Sequence, residues 1–194
     1  MNIKKQVLVV FIICASIGTA VDLITKHLAV KYLLYHPWII IPDVFSFRFV
    51  TNENMIWGLP LLPKTLALII PVLAIPVIVY VFLTMKPQTV FNALTFGLIL
   101  SGTIGNLADR MFYVNSRGIN AVRDFISVDW INWPVFNMAD VFICVGAVLL
   151  AVKVLFTPPQ TKDEEGKMKN EGREEVRSPE PGVINEVGKM KNEE

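Results

Sequence analysis

The chain has 194 residues, 53% hydrophobic and 18% charged, with a formal net charge of +1 and two cysteines. Its mean hydropathy of +0.51 is too apolar for most water-soluble folds. Near-neutral charge without a basic stripe excludes nucleic acid as the partner, and Cys14 and Cys144, each inside an apolar run, exclude a disulfide-stapled secreted scaffold. The average also hides two unlike parts. Of the 35 Lys, Arg, Asp and Glu residues, 17 fall between Pro158 and Glu194, so the first 157 residues are far more apolar than the mean.

A hydrocarbon core of about 30 Å needs about 20 apolar residues of helix. Four segments qualify in chain order. Gln6 to Val21 is uncharged, follows Lys4 and Lys5, and continues past Asp22 into Leu23, Ile24, Leu28 and Val30. A cleaved signal peptide is the alternative, with small residues around Ala15 to Ala20. The continuing apolar periodicity favours an uncleaved first span, and Ile12 and Ile13 before Cys14 are too bulky for a lipoprotein signal.

The next segment, residues 38 to 58, is rich in β-branched and aromatic residues, with Phe45, Phe47 and Phe49 alternating, which predicts short strands outside the bilayer. Thr65 to Met85 and Pro87 to Ala108 carry no charge and form spans two and three. Pro71 and Pro76 in span two predict a kink that neighbouring helices make tolerable. Residues 111 to 135 are mixed polar and aromatic, and Phe112, Trp130, Trp133 and Phe136 suit an interfacial belt. Val141 to Val152 is the fourth span, with Asp140 at one end and Lys153 near the other, able to snorkel.

Four spans put both termini on one side. Lys4, Lys5 and Lys86 favour the cytoplasm for that side, against Arg48, Lys64, Arg110, Arg117 and Arg123 on the other. The tail from residue 158 has almost no aliphatic content and alternating charge, so it is expected to be a disordered cytoplasmic extension. Its Gly166 to Glu171 hexapeptide recurs as Gly188 to Glu193, but two copies make no solenoid. The expected fold is a mainly α membrane protein: a four-helix domain over residues 1–157 with a small β-rich segment outside the membrane, then a disordered tail over 158–194.

An ionisable group in a membrane helix costs roughly 2.5–3.5 kcal/mol on insertion scales. Asp22, Lys26, Asp109, Arg110, Asp124 and Asp140 all lie in or beside the ends of spans one, three and four, on the outer side in this topology. Asp22 and Lys26 are four apart and can pair across one turn, either to ease insertion or to serve a site. Asn106 and Arg110 are likewise one turn apart, after the small residues Ser101 to Gly105 that permit close approach. An interfacial Arg with a local Asp partner explains Arg110 and Asp109 but leaves Asn106 and the glycines unexplained.

On one continuous helix Asp124 and Asp140 are about 24 Å apart. Asn132-Trp133-Pro134 interrupts any such helix, so the chain can fold back and bring the carboxylates together. Two carboxylates in a partly desolvated site share a proton, one acting as base toward water, which is aspartic-protease chemistry. Taken alone, Asp140 reads better as the N-cap of span four, where Asp is common.

In this combination the sequence resembles the type II (lipoprotein) signal peptidase family of intramembrane aspartic proteases, over roughly residues 7 to 155. Asp22-Leu23-Ile24-Thr25-Lys26, Asn52 to Gly58, Gly105 to Arg110, Val122 to Ile126 and Phe136 to Asp140 are similar to the family's five boxes, in order. The resemblance implies a catalytic dyad at Asp124 and Asp140, with Asp22, Lys26, Asn52, Asn106, Arg110 and Asn137 shaping or lining the substrate site. It also implies a diacylglyceryl-modified prolipoprotein substrate cut just before the lipid-bearing cysteine. The enzyme is expected to act as a monomer among membrane lipids, multi-pass in the bacterial cytoplasmic membrane, with its site near the outer face. No cofactor or metal is required, and His27 and His36 fit no ligand spacing.

Three departures from the family pattern stand out: Asn54-Met55-Ile56 where the family has Gly-Ala-Ala, Arg123 where an aliphatic residue is usual, and the long charged tail. A cation at 123 lowers the Asp124 pKa if it points inward. Two other classes compete with a protease. A proton-coupled carrier needs acids strung across the membrane, whereas these cluster at one face. An inactive scaffold needs the acid pair to be incidental.

Overall fold

Each of the four expected spans is a helix. The computed structural model describes residues 4–53, 64–131 and 133–156, the side chain of residue 64 excepted. Within them α1 covers Lys5–Leu33, α2 Lys64–Thr84, α3 Val90–Phe112 and α4 Met138–Phe156, and all four are long and apolar enough to cross a membrane. The strands are β1 (Trp38–Ile41), β2 (Phe45–Asn52) and β3 (Val122–Val128), followed by one 3-10 turn at Asp129–Ile131. The Asn54-Met55-Ile56 departure and the tail lie outside the described residues.

α3 is the least hydropathic span and the most enclosed, packing against α1, α2 and the start of α4. The two facts have one cause, since a helix surrounded by protein need not be apolar on every face. α2 is helical through both Pro71 and Pro76. At one end of the bundle Phe11 of α1 stacks on Phe82 of α2, centroids 4.0 Å apart, and Phe82 also meets Phe96 of α3 at 6.2 Å. Val7, Ala15, Ala93 and Leu100 complete the buried part of that cluster. Lys153 of α4 belongs to the same end, where it donates to the Asn92 side chain.

The opposite end carries a three-stranded antiparallel sheet in the order β1-β2-β3. β1 and β2 join through a tight turn in which Asp43 takes φ 57°, a left-handed conformation that Asp tolerates better than most residues. Phe45, Phe47 and Phe49 behave as their alternation predicts, packing with Phe125 and Ile126 over Ala29 and Leu33 of α1. Residues 111–135, read from sequence only as a polar and aromatic stretch, also supply β3. The expected reversal follows it: Phe136 forms an antiparallel bridge with Ile126 and leads into α4. That bridge takes Phe136 out of the expected aromatic belt and into the apolar cluster, while Phe112, Trp130 and Trp133 stay exposed.

Small residues set the helix spacing where α3 meets α1 and α4. A Cβ on Gly102 of α3 falls 2.2 Å from the Ala139 carbonyl oxygen of α4, and one on Gly105 falls 2.3 Å from Oδ2 of Asp22. Close approach is the use of the small residues that the sequence singles out. Gly102→Ala should push the first turn of α4 away and lower stability by about 1–3 kcal/mol, the usual cost of overpacking. A melting temperature in detergent equal to that of the parent protein contradicts this packing.

Candidate active site at the sheet end of the bundle

The charged residues that the sequence marks as out of place gather where α1, α3 and α4 meet the sheet. Asn137 precedes α4 and Asp140 lies in its first turn. The Asp140 backbone N–H donates to Oδ1 of Asn137 at 3.1 Å, and the Asn137 N–H donates to Oδ2 of Asp140 at 3.2 Å. This is a reciprocal capping box, so the cap is Asn137, and Asp140 stands three residues inside the helix with its other oxygen free to face elsewhere. The N–H of Ala139, between them, donates to Oδ1 of Asp22 on α1 at 2.8 Å. Carboxylates at this position complement the positive end of the helix.

Behind that turn lies Lys26. Its ammonium is fully buried and sits 2.8 Å from Oδ2 of Asp22, 3.6 Å from Oδ2 of Asp109 and 2.9 Å from Oδ1 of Asn106, to which it donates. The Lys26 bond holds the Asn106 amide with its oxygen inward, so its Nδ2 points outward and donates to Oδ1 of Asp140 at 2.8 Å. Asn137 Nδ2 donates to Oδ1 of Asp124 at 2.6 Å and to the same Asn106 oxygen at 3.2 Å. Asp124 and Asp140 therefore belong to one hydrogen-bonded network through two asparagine side chains.

The sheet brings Asp124 there by a break in register. Phe47 pairs with Ile126 but Val50 pairs with Asp124, so β2 spends three steps where β3 spends two. A residue inserted in this way is a β-bulge, and it shifts the alternation of everything after it. Asn52, opposite Val122, thereby comes into phase with Asp124 in place of Thr51, and its side chain hydrogen-bonds the Asp124 carboxyl.

Asp124 is 3% exposed. Burial raises its carboxyl to about 7, and the neighbouring Asp140 charge adds to the rise; hydrogen bonds from Asn137 and Asn52 and the charge of Lys26 oppose it. The charge of Arg123, next in the chain, is not among the causes that move the Asp124 carboxyl. Adjacent strand residues face opposite sides, and the Arg123 guanidinium is held by Asp109, with Nε 3.1 Å and Nη2 2.5 Å from Oδ1.

All eight residues singled out as a site converge here. Arg110 donates to the Asn106 carbonyl at 3.3 Å, lies within electrostatic reach of Asp140 and Asp124, and with Asn52, Glu53, Met111, Ile119 and Asn120 lines a cleft of about 530 Å³. Asp22, Lys26 and Asn137 are fully buried. Sequence spacing underrates Asp109, reading it as a local partner of Arg110. It is fully buried and also ion-pairs with Lys26 and Arg123.

Four apolar helices with a buried and a half-buried carboxylate at one end define an integral membrane protein with a polar site at the end of its bundle. The chain belongs to the signal peptidase II family, whose profile matches residues 13–156. It is similar to lipoprotein signal peptidases from Clostridium novyi (35% identical, 71% of this chain and 92% of that one) and Mycobacterium leprae (34%, 73% and 69%). That from Aquifex aeolicus is 36% identical over 73% of this chain and 83% of its own. Two solved chains, each described as a bacterial membrane enzyme, share the fold at a TM-score of 0.65. They are 22% and 24% identical, cover 78% and 76% of this chain, and each is covered over 94% of its own length. The chain is thus a membrane protease of the signal peptidase II type.

A carboxyl raised by burial disfavours the folded state progressively as pH climbs from its unfolded value near 3.9 to its folded value near 7, because over that range the folded chain binds the extra proton. Asp124→Asn removes this penalty. The variant should gain melting temperature relative to the parent at pH 8 but not at pH 4, and an equal difference at both pH values contradicts the buried, proton-retaining Asp124.

Proposed function

We propose that this signal peptidase works as an aspartic endopeptidase, with Asp124 and Asp140 as its catalytic dyad. Its substrates are diacylglyceryl-modified prolipoproteins, cut between the signal peptide and the lipid-bearing cysteine. The observation that carries the reading is the asparagine-linked carboxylate pair, with Asp124 raised to about 7 by burial and by Asp140. Near neutral pH Asp124 carries the shared proton. Asp140, accepting from the Asn106 side chain and the Asn137 N–H, takes a proton from water.

The water oxygen attacks the scissile carbonyl carbon while Asp124 gives its proton to the carbonyl oxygen. Collapse of the tetrahedral intermediate breaks the C–N bond. The proton held by Asp140 then goes to the departing cysteine amine, and the hydroxyl proton returns to Asp124. Asn52 and Arg110, at the cleft, face the peptide. Asp22, Lys26 and Asn137, buried behind it, orient Asn106, the first turn of α4 and Asp124, so their contribution runs through those groups.

The same reading places the sheet end outside and both termini in the cytoplasm. It rests on Lys4 and Lys5 at the start of α1 and Lys86 between α2 and α3, at the end opposite the sheet. A site at the outer face receives a substrate whose signal helix and acyl chains remain in lipid. The division into a peptidase domain over 1–157 and a cytoplasmic tail over 158–194 belongs to this proposal, as does a monomer working among membrane lipids.

Asp124→Asn and Asp140→Asn should each reduce conversion of lipid-modified precursor by about 10²–10⁴-fold, the usual share of general acid–base catalysis. Processing by both variants at the parental rate overturns the dyad. In the parent enzyme kcat/KM should fall as pH rises through about 7, as the shared proton is lost; a rate that climbs steadily through that range contradicts the assigned roles. Reporter fusions at Lys86 and in the tail should report the cytoplasm, and an external signal at either reverses the topology.

A further inference from the structure

β3 is an edge strand. Its Asp124 end pairs with β2 on one side, and on the other the backbone bonds of Phe136 are with Phe125 and Ile126, beyond Asp124. An edge strand ending in a residue that must be held within a fraction of an ångström needs a second anchor. Asp109 of α3 supplies it. Oδ2 of Asp109 accepts from the Arg123 backbone N–H at 2.9 Å, the place in the ladder where a further strand would bond. Both carboxylate oxygens also accept from Nε, at 3.1 and 3.2 Å, and Oδ1 from Nη2 at 2.5 Å. The guanidinium lies over the Tyr113 ring, 4.8 Å from its centroid, at the residue that closes α3. The Asp109 carboxylate is itself fixed from behind by Lys26 at 3.6 Å, and Lys26 is the group that orients Asn106.

We infer that Arg123 is a positioning residue, whose fork on Asp109 clamps the edge of β3 to α3 and so sets the place of Asp124 relative to Asp140. This rests on the proposed dyad. An aliphatic side chain at 123 keeps the backbone bond to Asp109 but loses the fork and the ring contact. A lysine keeps the charge as a single point without the two-pronged geometry. Arg123 reaches the dyad only through the backbone it holds, so its loss should be felt in turnover and not in substrate binding. A displacement of about 1 Å at a reacting group costs up to about 100-fold.

The test is kcat and KM for a lipid-modified precursor, measured per folded molecule in detergent or lipid vesicles, for Arg123→Leu, Arg123→Lys and Asp124→Asn beside the parent. The expected result for Arg123→Leu is a kcat lowered about 10- to 100-fold with KM within about twofold, with Arg123→Lys between it and the parent. If Arg123→Leu does not fold, Arg123→Lys carries the test, with a kcat lowered at least about threefold and KM unchanged. Parental kcat in the variants that fold overturns the inference, as does a loss confined to KM or to the folded fraction. Should Asp124→Asn turn over at the parental rate, the dyad falls instead, and the two failures are told apart within the same assay.

Discussion

The buried ammonium of Lys26 is the interaction on which the remainder of this site depends. A charge removed from water costs several kcal/mol unless it is paired and hydrogen-bonded, and breaking such a pair leaves the cost uncompensated. Lys26 meets that demand with groups from two helices: Asp22 from its own, Asp109 and Asn106 from α3. Each of those then has something left over for a third element. Asp22 uses its other oxygen on the α4 N-terminus, Asp109 uses its carboxylate on β3, and Asn106 turns its amide to Asp140. The energetic requirement of one cation thus ties α1, α3, α4 and the sheet into one frame.

The carboxylate pair is held by neutral donors, not by the cation directly. Asn137 and Asn106 lie between Lys26 and the two acids, so the positive charge is felt without forming an ion pair with either. That spacing matters for the proposed dyad, which is to share a proton. A lysine in direct contact favours both carboxylates ionised, whereas burial and mutual repulsion keep Asp124 protonated to about 7. Amides donate hydrogen bonds that orient the oxygens and carry no net charge into the site.

The four spans and the presence of strands after the first were legible in residue order, because membrane thickness and backbone satisfaction act on local runs of residues; α4 extends past the expected Val141 to Val152 at both ends, to Met138–Phe156. The convergence of Asp22, Lys26, Asp109, Arg110, Asp124 and Asp140 at one end was legible too, since an ionisable group in or beside an apolar span carries a cost that marks it without any structure. β3 was harder to see. Its seven residues mix Arg and Asp with aliphatic positions, and the pairing that makes them a strand comes from β2, some seventy positions away. The direction of Arg123 was equally hidden, because whether it lowers the neighbouring carboxyl depends on which face of a strand it occupies.

What the sequence by itself determined is a four-span membrane protein with its costly polar residues gathered at one end, and, through five ordered boxes, its family. Those properties follow from transfer energies and residue types, which do not depend on contacts between distant positions. Only the tertiary structure decided which partner each charge takes, that Asn137 and not Asp140 caps α4, and that a bulge in β2 turns Asn52 toward Asp124. These are choices among near-equal local alternatives, and packing of one element on another settles them.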